Sequence, residues 1–200
     1  MRPLSFTLLI DDREKKPLPV RASYSILDRS CLPTLARARP ARIHVLHRRL
    51  PDADYTLADE LGTMYTCPDA RGCAVVETKR SAEEIAANCL TVEGRRRLVS
   101  LLSRIRDRYA RPLLLLEGTL GAFLAPTREQ PSPGLALDAL FDLSNEYNVP
   151  VQLFGGGSLA QRWLAGEYVV RFLISGALSH ARCDYELQRG LHAGERGPAL

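Results

Sequence analysis

Two short apolar runs limit what this chain can fold into. Gly72 to Val76 lead straight into Glu77, and Leu113 to Leu116 lie between Arg111-Pro112 and Glu117-Gly118. Runs of this length, bounded by turn or charged residues, read as buried strands, being too short for a core helix. Pro112 stands at the first position of its strand or just before it, where a ladder tolerates proline. Residues 5–10 form a third apolar run, broken by Asp11-Asp12. The alternation in 41–50 and the segment opening Asp54-Tyr55-Thr56-Leu57 predict two more strands. Between 22 and 38 the periodicity is mixed, and one short helix is expected there.

Helical patterns fall between the later strands. Ser81-Ala82-Glu83-Glu84 is a capping box with Ser81 at the N-cap and Glu84 at N3. Residues 94–109 carry Leu98, Leu101, Leu102 and Ile105 at helical spacing, with arginines on the opposite face. A Pro/Gly/Gln loop near 126–134 precedes a helix at 135–147, and 149–154 reads as a strand. Gly155-Gly156-Gly157 then leads into a helix from Ser158. The glycines read as a connecting loop, with a phosphate cradle as the alternative. Strands alternating with helices imply an α/β sheet with helical cover. One domain over 1–188 and a flexible tail over 189–200 are expected.

Composition excludes some functions and leaves others open. With 46% hydrophobic residues, 200 residues suit a single well-cored domain. No apolar run reaches the roughly 20 residues of a membrane span, and the first residues do not read as a signal peptide. An intracellular place, cytoplasm or nucleoid/nucleus, is expected. Five scattered cysteines lack the paired spacing of a zinc site and read as reduced thiols. The formal charge is +4, carried by 24 arginines but only three lysines, Lys15, Lys16 and Lys79. Guanidinium groups match phosphates, although GC-rich coding produces the same bias. In such a chain a lone lysine beside a carboxylate stands out.

That lysine lies in Val75-Val76-Glu77-Thr78-Lys79. Side chains two apart on a strand share a face, so a carboxylate and an ammonium at a strand end converge on one point. A carboxylate that holds a divalent cation, with a lysine beside the attacked phosphorus, suits phosphodiester hydrolysis. Mg²⁺ or Mn²⁺ needs a further oxygen donor, and Asp54, 23 residues upstream, is the expected supplier. Glu14-Lys15-Lys16 matches the same triplet, but its proline-bounded, charged surroundings argue against a sheet strand.

Asp54 followed by Glu77-x-Lys79 is the outline of the PD-(D/E)XK nuclease core. In order along the chain, further segments resemble the nuclease domain of the XPF family of structure-specific endonucleases. Ile10-Asp11-Asp12-Arg13-Glu14 is similar to the family's opening strand into Asp-x-Arg-Glu, and Ala53-Asp54-Tyr55 to its Gly-Asp-Tyr. Glu77-Thr78-Lys79-Arg80-Ser81-Ala82-Glu83 is similar to Glu-Arg-Lys-x-x-x-Asp; Arg97-Leu98 and the strand from Arg111-Pro112 follow. Ala53, Thr78 and Glu83 depart from the pattern. The resemblance covers roughly residues 5–180 and implies a restriction-endonuclease-like core, a central mixed sheet flanked by helices.

By that resemblance Asp11, Asp54 and Glu77 would hold Mg²⁺ or Mn²⁺, and Lys79 would serve the attacking water. Arg13 and Glu14 would form a supporting ion pair or touch DNA. Glu83 would be an outer carboxylate, unless it serves only the helix dipole, and Arg97 would contact DNA. The implied activity is metal-dependent endonuclease cleavage of branched or flapped DNA in repair or recombination. Pairing as a homodimer or heterodimer is implied too, for which the apolar helix from Ser158, with Leu159, Trp163 and Leu164, is the candidate surface. Two other readings stand beside it: a non-catalytic DNA-binding or scaffolding subunit on the same fold, and a restriction-like or phage-associated nuclease.

Overall fold

The structure, a computed structural model, describes residues 4–28, 37–59, 61–67, 69, 71–126, 132–155 and 158–194. The elements run β1 (Leu4–Ile10), β2 (Ser23–Asp28), β3 (Arg37–His47), β4 (Tyr55–Ala58) and β5 (Gly72–Lys79), then α1 (Ala82–Leu90) and α2 (Val92–Arg108). After these come β6 (Tyr109–Glu117), α3 (Leu120–Leu124), α4 (Pro133–Tyr147), β7 (Val151–Phe154) and α5 (Leu159–Gly194). Seven strands form one mixed sheet in the order β2-β3-β1-β4-β5-β6-β7. β5, β6 and β7 run parallel, as do β1 and β3, while β4 is antiparallel to both its neighbours. The α/β architecture with helical cover expected from the sequence is the one observed.

The four-leucine run explains itself in this arrangement. Leu114 and Leu116 enter the layer built by Ile85, Leu98, Leu102, Ile105 and Leu140 of α1, α2 and α4. Leu113 and Leu115 point the other way, into the layer closed by Val169, Val170 and Leu173 of α5. Both faces of β6 are therefore covered, and each fully buried leucine contributes roughly 1.5–3 kcal/mol. β5 divides in the same manner. Val76 faces α5 and Val75 faces α1, so Glu77 and Lys79, in register with Val75, lie on the α1 side.

Three elements differ from expectation. Residues 23–28 form strand β2, not a helix, paired antiparallel with β3. Tyr24 and Ile26 are buried while Ser23, Ser25 and Leu27 are exposed, which is the period of a half-covered edge strand. Of the range 22–38, within which one short helix was expected, residues 29–36 are outside the described residues. The second helix starts at Val92, because the Thr91 side chain caps it by accepting from Gly94 N at 3.0 Å. A Cβ at position 94 would fall 1.8 Å from the Ala87 carbonyl oxygen, so the α1–α2 corner requires glycine. Finally, α5 continues to Gly194, where a tail was expected from 189. One interior glycine lowers helix stability by about 1 kcal/mol without ending it. Residues 195–200 are outside the described set, as are Gly156 and Gly157 of the glycine run.

In α5 the apolar excess is shared. Val169, Val170 and Leu173 are core, whereas Leu159, Trp163 and Leu164 remain exposed near its start. No described helix is long and apolar enough to cross a membrane.

Candidate active site

Strand pairing brings the candidate acids together. β4 meets β5 with Tyr55 opposite Val76 and Thr56 opposite Val75. Asp54, the residue before β4, then lies beside Glu77 at the end of β5: its N donates to the Val76 carbonyl at 3.0 Å, and the Glu77 charge acts on its carboxyl. Like charges side by side on neighbouring strands repel, so this pair costs stability unless something neutralises it.

The turn before Asp54 is held from below. Asp52 is buried, and its two carboxylate oxygens each accept at 2.8 Å, one from Arg104 Nε and the other from Arg108 Nη1, both on α2. Ala53 adopts φ 60°, the left-handed region, at the position where the family pattern carries glycine. Alanine is strained there by roughly 1–2 kcal/mol, an amount comparable to what its buried methyl and its stiffer unfolded chain return. Ala53→Gly is therefore expected to shift stability by less than about 1 kcal/mol in thermal denaturation. Ala53→Val, β-branched at positive φ in a packed corner, is expected to cost about 2 kcal/mol or more. Equal melting temperatures for the two variants would contradict this reading of the turn.

Glu77 and Lys79 share a face, as their spacing implies, and Lys79 Nζ lies 2.7 Å from Glu77 Oε1. Both are only 8% exposed. Glu84 of α1 adds a second carboxylate oxygen 3.2 Å from the ammonium. Burial disfavours the lysine's charge, but Glu77 and Glu84 outweigh it and hold the ammonium above its usual range. Asp54 is affected in the opposite sense: burial, and then the charge of Glu77, push its carboxyl up to about 7. Thr78 partly opposes this, because Asp54 Oδ2 accepts from Thr78 N at 2.8 Å and from Thr78 Oγ1 at 2.6 Å. The threonine that stands where the pattern has arginine thus orients the aspartate.

The remaining sequence candidates are placed less centrally. Asp11 is buried, and its carboxylate accepts from Arg13 N at 3.0 Å and from Arg13 Nε at 3.0 and 2.9 Å; Arg13 Nη2 also pairs with it. Burial raises the Asp11 pKa, but Arg13 more than offsets this and the carboxyl ends below its usual range. Arg13 and Glu14 do not pair with each other: Arg13 holds Asp11, and Glu14 binds Arg80 Nη2 at 2.8 Å. Glu83 stays out of the Asp54–Glu77–Lys79 cluster and lines a cavity of about 280 Å³ with Arg80, Ser81, Glu117 and Thr119. Arg97 is 73% exposed and paired with Glu93 at 2.9 Å. Among the described residues, no three His, Cys, Asp or Glu side chains gather into a metal-holding group. Cys67 and Cys73 are buried thiols with their sulfurs 3.8 Å apart.

Sequence reasoning missed Glu84 and Thr78 as members of the cluster, and Asp52 as the support of Asp54. Glu84 had a visible signal, an acid one helical turn into α1 directly after the lysine strand, but its capping role accounted for it. It does accept from Arg80 N at 3.0 Å as well.

No family model and no curated protein matches the chain. Its fold is similar to that of XPF from Aeropyrum pernix, at 19% identity over 97% of this chain and 75% of that one, with a TM-score of 0.49. XPF from Aeropyrum pernix in complex with DNA matches at 20% identity over 87% of this chain, with a TM-score of 0.50. The match spans 66% of that second chain. At such identities the likeness is one of fold: an XPF nuclease-like α/β sheet.

Proposed function

We propose that the chain is a Mg²⁺- or Mn²⁺-dependent endonuclease that hydrolyses phosphodiester bonds in branched or flapped DNA. The observation that carries this reading is the buried cluster in which Asp54 lies beside Glu77 and Lys79 is bound to Glu77. Among the described residues, Asp54 Oδ1 and Glu77 Oε2 have no hydrogen-bond partner. Two hard oxygen donors whose charges repel form a donor set that fits a magnesium-like cation, which keeps several waters and needs only one or two carboxylates. When bound, such a cation supplies Lewis-acid charge at the scissile phosphate and promotes ionisation of water. Asp54 and Glu77 would hold it, with Thr78 fixing the orientation of Asp54. Lys79 keeps its proton and sets a positive charge beside the phosphate, where negative charge develops in the transition state. The fold neighbour solved with DNA supports DNA as the substrate class.

A second reading, a non-catalytic DNA-binding or scaffolding subunit, is favoured by one observation: Asp11 is taken up by Arg13 and contributes no third carboxylate. Calorimetric titration with Mn²⁺ at pH 8 separates the two. The enzyme reading expects one site in the wild type that is lost in Asp54→Ala. It also expects binding to weaken as pH falls below about 7, because a protonated Asp54 must release its proton to bind metal. A titration with no heat attributable to Asp54 supports the scaffold.

A further inference from the structure

The segment Glu14-Lys15-Lys16 mimics the catalytic triplet in sequence but belongs to no strand; it sits in the loop between β1 and β2. That loop leaves β1 at the candidate site and is fastened along its length. Asp11 N donates to the Asp54 carbonyl at 2.9 Å, and Glu14 N to the Asp11 carbonyl at 3.0 Å. Glu14 Oε1 accepts from Lys16 N at 2.7 Å, and Tyr55 Oη accepts from Leu18 N at 2.9 Å. The Lys16 carbonyl accepts from two guanidinium groups: Arg80, the residue after Lys79, and Arg162 of α5, the latter at 2.6 Å. Glu117, at the end of β6, joins those two arginines, 3.0 Å from Arg80 Nε and 3.2 Å from Arg162 Nε.

The side chains of Glu14 and Glu117 are 9% and 7% exposed. Acids this buried are costly unless paired, and here their pairing holds one short loop. All of these bonds turn the loop's backbone inward. Lys15 and Lys16 are left exposed, and among the described residues neither forms an ion pair. With Lys79 they are all the lysines of the chain. Two unpaired ammonium groups on a pre-organised backbone bind phosphate without the entropy of ordering the loop.

We propose that Lys15 and Lys16 form a preformed phosphate-binding lip for the DNA strand entering the Asp54–Glu77–Lys79 site, with Glu117 as its positioning residue. The proposal rests on the nuclease reading of that site. These bonds keep Lys16 beside Arg80, the residue after Lys79 at the end of β5, and a DNA strand laid across that end of the sheet would meet both the site and the two lysines. Release of counterions from each neutralised phosphate makes the contact visible in salt dependence.

The test is fluorescence polarisation of a labelled flap DNA, in EDTA, across a salt series. Lys15→Ala/Lys16→Ala is expected to lower the slope of log affinity against log salt by about 1.8 on duplex DNA, at about 0.9 per phosphate. Arg71→Ala/Arg106→Ala removes the same charge near the start of β5, at the other end of the sheet, and is expected to leave the slope unchanged. Glu117→Gln retains both lysines and is expected to lower the slope part of the way. Adding it to the lysine double variant should produce no further fall. A lysine variant whose slope equals that of the wild type, or of the Arg71/Arg106 control, overturns the proposal. If Glu117→Gln fails to fold, the exposed lysine pair still decides. Wild-type protein that binds no flap DNA contradicts the nuclease reading itself, whereas binding with an unaltered slope in the lysine variant contradicts only the lip.

Discussion

Lys79→Met is expected to lower the cleavage rate by about 10²–10³-fold or more, the scale seen when one donor to a developing charge is removed. Methionine retains the length of the side chain in a buried site, so the fold should survive where alanine would also leave a void. Stability is nevertheless expected to fall by about 3 kcal/mol, because Glu77 then stays buried without its ammonium partner. Glu77→Gln is expected to abolish cleavage through the cation, and to lose stability for the mirror-image reason. The two single losses should not add. A Glu77→Gln/Lys79→Met double variant removes both members of the buried pair and leaves only the part-exposed Glu84 without its ammonium, so it should be more stable than the sum of the single changes implies. Near-wild-type nicking by either single variant would remove these residues from the chemistry. Additive destabilisation would remove the ion pair from the account of the fold.

Asp54→Asn is expected to raise the stability of the metal-free protein at pH 8 while eliminating activity. In the folded chain this carboxyl titrates at about 7, against 3.8 when unperturbed. A folded-state pKa raised in this way means the native state binds the proton more tightly than the unfolded state does. The stabilisation this provides is complete below about pH 4 and is lost as pH rises through 7. Above that pH the metal-free protein bears a buried charge beside Glu77 at a cost of about 2–4 kcal/mol. Asparagine keeps an oxygen to accept from Thr78 and carries no charge. In EDTA at pH 8 its melting temperature should exceed that of the wild type by about 4–8 °C, with the gap closing towards pH 4. Saturating Mn²⁺ should narrow the gap by stabilising only the wild type. A variant less stable than wild type at pH 8 would show that the Asp54–Glu77 repulsion is not real.

The parts of the fold that were legible in the sequence are those whose residues carry the information locally. Leu113 to Leu116 and Gly72 to Val76 are apolar on both faces, so their central position follows from the run itself. Ser81 and Glu84 mark the start of α1 because a capping box is a matter of neighbouring residues. Strand β2 was not legible in this way. Tyr24 and Ile26 alternate over too few residues, and what makes them a strand is pairing with β3, which lies beyond residues 29–36. The candidate site divides along the same line. Glu77 and Lys79 share a face by strand geometry alone. The 23-residue interval to Asp54 says nothing about register, and only the pairing of Tyr55 with Val76 sets Asp54 against Glu77. Thr78 reads as a lost arginine in sequence, yet in the fold it supplies two hydrogen bonds to Asp54. Asp52 has partners 52 and 56 residues away in sequence, Arg104 and Arg108, and no local pattern announces them. Arg13 and Glu14 were expected to form an ion pair or to touch DNA; in the fold Arg13 binds the buried Asp11 and Glu14 binds Arg80.

The central claim is that Asp54, Glu77 and Lys79 form one hydrolytic centre for DNA. It is tested most directly by incubating the wild type and Glu77→Gln with end-labelled flap, fork, four-way junction and linear DNAs, with Mg²⁺, with Mn²⁺ and with EDTA. The expected result is cutting of at least one branched substrate by the wild type in a divalent cation, none in EDTA, and none by Glu77→Gln under any condition. Intact DNA throughout, or cutting that persists in Glu77→Gln, would contradict the claim.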